Sequence, residues 1–340
     1  MKIGILTSGG DCPGINATIR GVGRTAILHY NMEVVGIRKG FSGLLENDYT
    51  IMDEVALSGL LYKGGTILGT SREKPFRKRL FSDEDLPRKL KQHYDDLGLD
   101  CLVAIGGNGT MKTAAKMRAL GINVVGIPKT IDNDIWGTEV TFGFDTAVAT
   151  ATECIDRLHT TAESHRRVMV VEVMGHKAGW IALHSGMAGG AHVILIPELG
   201  YNPDKVIEAI NRRMNKGKLH SIVVVAEGVK SLGGEKERPA FYLSKYIEEH
   251  SDLVCRETVL GHIQRGGSPT AADRNLATLL GGYATELISN RIFGVMVAVV
   301  NGQMTHLPLE EVAGKLKTVR EDNPLVIQGK KLGISFGTED

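Results

Sequence analysis

Four glycine-bearing loops contain the residues best suited to gripping a phosphate. The first is Ser8-Gly9-Gly10-Asp11-Cys12-Pro13-Gly14, where adjacent glycines let backbone N–H groups approach an anion and Pro13 favours a helix start. The second, Gly106-Gly107-Asn108-Gly109-Thr110, has three glycines in five residues. It fits neither G-x-x-x-x-G-K-[ST] nor a dinucleotide fingerprint, because Lys112 stands where the third glycine belongs. The third, Pro128-Lys129-Thr130-Ile131-Asp132-Asn133-Asp134, sets two carboxylates beside a lysine. A carboxylate there can hold a hard cation or take a proton, and the lysine can meet phosphate oxygens. The fourth is 261–269, GHIQRGGSP, in which Arg265 can clamp a phosphate through two N–H groups. Taken singly, each loop also reads as a tight turn or a solvated surface. Together they describe a pocket for a small polyanion.

These loops need strands to place them. Apolar runs at 2–7, 101–105, 124–127, 168–173, 192–196, 222–226 and 295–300 predict strands. Several lack alternation, as expected when both faces are covered. Helical patterns at 85–97, 111–120, 147–159 and 202–216 fall between them. Strand alternating with helix predicts an α/β protein with mostly parallel sheets, whose ligands bind beyond the carboxyl ends of the strands. Three of the four loops directly follow predicted strands or strand-like runs. Gly21-Val22-Gly23-Arg24-Thr25-Ala26 also fits G-x-G-x-x-A, but it lies within a helical pattern and carries no such meaning.

The chain of 340 residues suggests about two domains. Its net charge of +1 gives no bulk attraction to nucleic acid or to an anionic membrane. No window of eighteen apolar residues occurs, so no membrane span is expected. Cys12, Cys101, Cys154 and Cys255 form no C-x-x-C pair. With an opening apolar run too short for a secretion signal, free thiols in a reducing cytoplasm are expected.

Eight ordered motifs now carry a resemblance: LTSGGDCPGINA at 6–17, GGTILGTSR at 64–72, GGNGT at 106–110, PKTIDND at 128–134, SHRR at 164–167, VEVMG at 171–175, AEG at 226–228 and GHIQRGGSP at 261–269. From about residue 1 to about 305 the chain resembles the 6-phosphofructokinases. The resemblance implies two doubly wound, Rossmann-like α/β domains: 1–143 with 264–314 binding the donor, 144–263 binding the sugar phosphate, and a tail at 315–340. It implies in-line phosphoryl transfer to O1 of fructose 6-phosphate in a homotetramer or homodimer. Asp132 would take the O1 proton. Thr130 would contact the transferred group or the sugar. Gly10 and its neighbouring N–H groups would hold the γ-phosphate, with Arg72 stabilising its charge. Gly107, Asn108, Gly109, Thr110 and Lys129 would line the donor site, and Asn108 and Asp134 would hold Mg²⁺. Met174, Glu227, His262 and Arg265 match sugar-phosphate contacts, as do Arg167 and Arg256, which reach in from a neighbouring subunit in the family.

Several positions depart from the pattern. Asn108 replaces a common aspartate, so a neutral oxygen faces the metal. Members using pyrophosphate carry an aspartate at the position of Gly109 and a lysine at that of Lys129. Gly109 leaves room for an α-phosphate, which favours ATP as donor over pyrophosphate. Thr113 is larger than the glycine often found near the nucleoside. In the effector cluster Arg20, Arg24 and Lys218 fit, whereas Glu54 and His159 replace arginines and His192 replaces an acid. Little response to an anionic effector is therefore expected. A non-catalytic sugar-phosphate sensor on the same fold is the rival reading. Asn108 favours it, and the intact 130–134 run opposes it. Sedoheptulose 7-phosphate would present a similar phosphate to His262 and Arg265.

Overall fold

A computed structural model of the chain describes residues 1–77, 85–231 and 237–338. The last two residues of the expected tail lie outside those described. In chain order the elements are β1 (Lys2–Ser8), α1 (Ile15–Tyr30), β2 (Glu33–Ile37), α2 (Gly40–Glu46), β3 (Tyr49–Ile51), α3 (Leu86–Asp96), β4 (Cys101–Gly106), α4 (Asn108–Ala119), β5 (Val124–Pro128), α5 (Phe144–His165) and β6 (Val168–Val173). There follow α6 (Trp180–Ala188), β7 (Val193–Leu195), α7 (Pro203–Met214), β8 (Ser221–Ala226), α8 (Pro239–His250), β9 (Cys255–Val259), a 3₁₀ turn at Gly261–Arg265, α9 (Ala271–Ser289), β10 (Val295–Val300), β11 (Gln303–Pro308), α10 (Leu309–Val312) and α11 (Pro324–Lys331).

The chain divides into two compact units. The first comprises Met1–Thr130, Ile135–Thr146 and Arg265–Leu316. Its seven-stranded sheet has the order β11-β10-β5-β4-β1-β2-β3, parallel except at its edge strands β3 and β11. β4 and β5 are buried along their whole length, which is why their sequences are apolar without alternation. Leu6, Phe41, Leu102, Met111 and Met296 belong to one buried cluster of this unit. The register Ser8↔Gly106 and Gly106↔Pro128 ends β1, β4 and β5 at one level, so three of the predicted loops start side by side. The chain turns to opposite sides on leaving β1 and β4, the crevice where open α/β sheets bind ligands.

The glycines at 21 and 281 have a packing role. A Cβ on Gly21 would stand 2.9 Å from the Thr278 carbonyl oxygen, and one on Gly281 2.8 Å from that of Thr18. Helices α1 and α9 therefore cross backbone to backbone, and the G-x-G-x-x-A match is part of that crossing.

The second unit comprises Ile131–Asp134, Ala147–Gln264 and Lys317–Asp340. Its sheet has the order β7-β8-β6-β9 and is parallel throughout. β6 and β8 are fully buried. Ser335 continues the edge beside β7, exchanging backbone bonds with His192 and Ile194. Among the described residues no helix is long and apolar enough to cross a membrane.

Candidate active site

The expected site residues fall into two groups, one on each unit. On the first, the aligned ends of β1, β4 and β5 release the loops at Gly9, Gly107 and Lys129. Hydrogen bonds then tie these loops together. The Lys129 N–H donates to the Gly106 carbonyl at 3.0 Å, and Gly9 N–H to the Ser71 carbonyl at 2.9 Å. Thr70 Oγ1 donates to the Gly9 carbonyl at 2.7 Å, which brings the 64–72 segment alongside. The Lys129 side chain is only 3% exposed, and its Nζ donates to the carbonyl of Gly10. Arg265 Nη1 donates to the Asp11 carbonyl at 3.2 Å, while its buried Nε has no partner. The guanidinium lies directly over Gly10, where any Cβ would collide with it. Two cations therefore converge on the backbone of Gly10 and Asp11, an arrangement that suits an incoming anion. Arg72 follows Ser71 and is exposed. Arg265, expected as a sugar-phosphate contact, thus lies over the loop that leaves β1.

Gly107 caps α4, and Gly109 opens onto empty space. Thr110 is 4% exposed and donates from Oγ1 to the Ser8 carbonyl at 3.5 Å. Asn108 begins α4, and its Nδ2 donates to the Lys315 carbonyl at 2.9 Å. That bond fixes the amide, leaving Oδ1 buried and without a partner. Thr130 is buried, with its carbonyl accepting from Thr141 Oγ1 at 2.7 Å. Burial pushes the Cys12 thiol up to about 12, outweighing the pull of Lys129, so it offers no nucleophile.

On the second unit, Asp132 and Asp134 are 7% and 5% exposed. His176, which the sequence reading passed over, places Nδ1 3.7 Å from Asp134 Oδ2. The Asp134 carboxylate beside it holds the imidazole above its ordinary pKa against burial, and the charge of Asp132 adds to this. Glu227 Oε1 accepts the N–H groups of Gly175 at 3.3 Å and His176 at 2.9 Å. Met174 N–H donates to Gln264 Oε1 at 3.3 Å, beside exposed His262 in the 3₁₀ turn. Met174, Glu227 and His262 thus follow the carboxyl ends of β6, β8 and β9.

Arg167 and Arg256 lie at the other ends of these strands. Arg167 precedes β6, and Arg256 pairs with Met169 near the start of β9. Six residues of β6 at about 3.3 Å each separate that end from Met174 by about 20 Å. Arg256 Nη1 instead donates to Glu248 Oε1 at 3.4 Å and to the Cys255 carbonyl at 2.5 Å.

The expected effector residues are also altered in their surroundings. Arg24 lies 3.9 Å from Glu54, which offsets its charge. The rings of His159, His192 and His220 lie 5.9–6.1 Å apart, centre to centre.

Residues 2–288 match the family model described as "Phosphofructokinase". The chain is 62% identical over 338 residues to "ATP-dependent 6-phosphofructokinase 3" of Bacteroides thetaiotaomicron, covering 99% of this chain and 100% of that one. It is 49% identical to "ATP-dependent 6-phosphofructokinase" of Spirochaeta thermophila, covering 98% and 97% of the two chains. Among solved structures, phosphofructokinase from Saccharomyces cerevisiae superposes with a TM-score of 0.84 at 32% identity. That match covers 92% of this chain and 45% of the longer yeast chain.

Proposed function

This chain belongs to the phosphofructokinase family, and on that premise we propose which residues carry each part of its reaction. It transfers the γ-phosphoryl group of ATP to O1 of fructose 6-phosphate, giving fructose 1,6-bisphosphate and ADP. The O1–P bond forms as the β–γ bridging P–O bond breaks, and the O1 proton must go to a base. Asp132 is that base. The observation that carries the assignment is a pair of carboxylates, 7% and 5% exposed, within one five-residue run after β5. Burying two such charges is costly, and His176 beside Asp134 offsets part of that cost, to which a bound cation or a proton taken from the substrate adds.

The segments 1–143 and 264–314 bind the donor, and 144–263 binds the sugar phosphate. Gly10 and the N–H groups of its loop receive the γ-phosphate, with Lys129 and Arg265 supplying charge beside them and Arg72 adding more. Gly107, Gly109 and Thr110 line the path of the remaining phosphates. The open space at Gly109 suits an α-phosphate. Thr130 positions the transferred group. Met174 and Glu227 contact the sugar, and His262 and Arg265 its 6-phosphate.

The family's reaction uses a divalent metal, and Mg²⁺ is the ion proposed. Each ligand proposed for it has the chemistry a hard cation takes: on the first unit Asn108 Oδ1 is a buried oxygen without a partner, and on the second Asp134 is a buried carboxylate. Few protein oxygens suffice, because Mg²⁺ keeps waters and takes phosphate oxygens. When bound, the ion neutralises charge on the donor phosphates.

Arg167 stands about 20 Å from the end of β6 that carries Met174, and Arg256 about 10–13 Å from the carboxyl ends of β9 and β6, both towards the opposite strand ends, which fits a role in a neighbouring copy's site within a homotetramer or homodimer. Four free cysteines suit the cytoplasm. The test supplies fructose 6-phosphate with ATP or with pyrophosphate and follows fructose 1,6-bisphosphate, for the native chain and for Asp132→Asn. Turnover with ATP, lowered ~10²–10⁴-fold in the variant with near-normal substrate binding, is expected. Native turnover in the variant would remove Asp132 from this role.

A further inference from the structure

The segment after residue 316 lies beyond the stretch matched by the family model, yet within its unit it bonds directly to the run that contains Asp132. Lys317 makes three of these bonds or their anchors. Its backbone N–H donates to the Asp134 carbonyl at 2.9 Å. Its Nζ donates to Asn133 Oδ1 at 2.8 Å. Its own carbonyl accepts the indole N–H of Trp180 at 3.0 Å, and Nζ stands 5.3 Å from the centre of that ring. Two residues on, the Val319 N–H donates to Glu198 Oε1 at 2.8 Å. The same carboxylate accepts the Gly179 N–H at 3.0 Å at the start of α6. The tail is thereby fixed to a buried helix end two residues beyond its contact with the acidic run.

What it touches is a turn of restricted conformation. Asn133 is 4% exposed and has φ 51°, a left-handed conformation that asparagine enters more readily than most L-residues and that sets the direction of the run on either side of it. It separates the two carboxylates in sequence. A general base must hold its oxygen within hydrogen-bond reach of the proton it removes, and a displacement of about 1 Å can cost ~10²-fold in rate. From these contacts we infer that Lys317 is a positioning residue, holding the 132–134 run in its catalytic conformation through Asn133 and the Asp134 carbonyl. The inference rests on the assignment of Asp132 as base.

The experiment compares kcat and KM for ATP and fructose 6-phosphate, with thermal midpoints, in the full-length chain. Lys317→Met keeps the backbone bonds and the aliphatic stem against Trp180 but loses the Nζ donor. Its kcat is expected to fall ~10–100-fold with both KM values within about 3-fold of native. Lys317→Arg, which restores a cationic donor, should recover most of that loss. Asn133→Gly tolerates the positive φ and removes the acceptor, so Lys317→Met should add little in the Asn133→Gly background. Native kcat in Lys317→Met with only a lower midpoint, multiplying losses in the double variant, or no recovery with arginine would each overturn the inference. Asp132→Asn, measured in parallel, separates the two levels. A crippled Asp132→Asn beside an unaffected Lys317→Met removes only the role of Lys317. Native turnover in Asp132→Asn removes both.

Discussion

Asn108 offers a prediction that runs against its family's common residue. Restoring the aspartate, Asn108→Asp, keeps the shape and adds a charge for a cation. It also removes the Nδ2 donor that now meets the Lys315 carbonyl at 2.9 Å and puts a carboxylate oxygen against that carbonyl. Losing this solvent-exposed hydrogen bond costs about 0.5–1.5 kcal/mol, and the two oxygens now facing each other add repulsion. The new charge in the first turn of α4 recovers about 0.3–1 kcal/mol from the helix dipole. The net cost is about 1 kcal/mol, and a midpoint shift of about 2–4 °C per kcal/mol applies to a unit of this size. The metal-free variant should therefore melt about 2–4 °C lower than the native chain in differential scanning calorimetry. The half-saturating Mg²⁺ concentration for turnover should fall at the same time. An unchanged or higher midpoint in the metal-free variant would refute the claim that the Lys315 carbonyl selects an amide here.

Two further predictions address packing and pH. Gly21→Leu drives a side chain into the Thr278 backbone, 2.9 Å from the position of its Cβ, and should cost about 1–3 kcal/mol, read as a lower urea midpoint; Gly21→Ala should cost less. His192 is pulled down to about 3, chiefly by burial and then by the charge of Arg213. The folded chain thus keeps it neutral while the unfolded chain protonates it near 6.5. Its contribution is intact above about pH 6.5 and is lost as pH falls from there towards about 3, by an amount that solvent around the part-exposed ring reduces. His192→Gln should flatten the stability profile in that window, and an unchanged profile would contradict it.

The chemistry-bearing loops were legible because their signals are local. Glycine permits close backbone approach, an apolar run without alternation marks a covered strand, and the two together locate where a loop leaves the sheet. The runs at 101–105 and 124–127 became β4 and β5 with almost the expected bounds. Strands at the sheet edges were harder to see. β9 reads Cys-Arg-Glu-Thr-Val, with Arg256 and Glu257 exposed, and β11 is half-covered at best. Such strands have no continuous apolar run to betray them.

Residue types and spacing alone determined the α/β class, the glycine-bearing loops and the acidic run, since each depends on a few consecutive residues. Tertiary structure alone decided the partners: Arg265 over Gly10, His176 beside Asp134, Lys315 on Asn108 and Lys317 on Asn133. Those pairs join positions up to 255 residues apart, and no periodicity in a single chain encodes a contact that only folding closes.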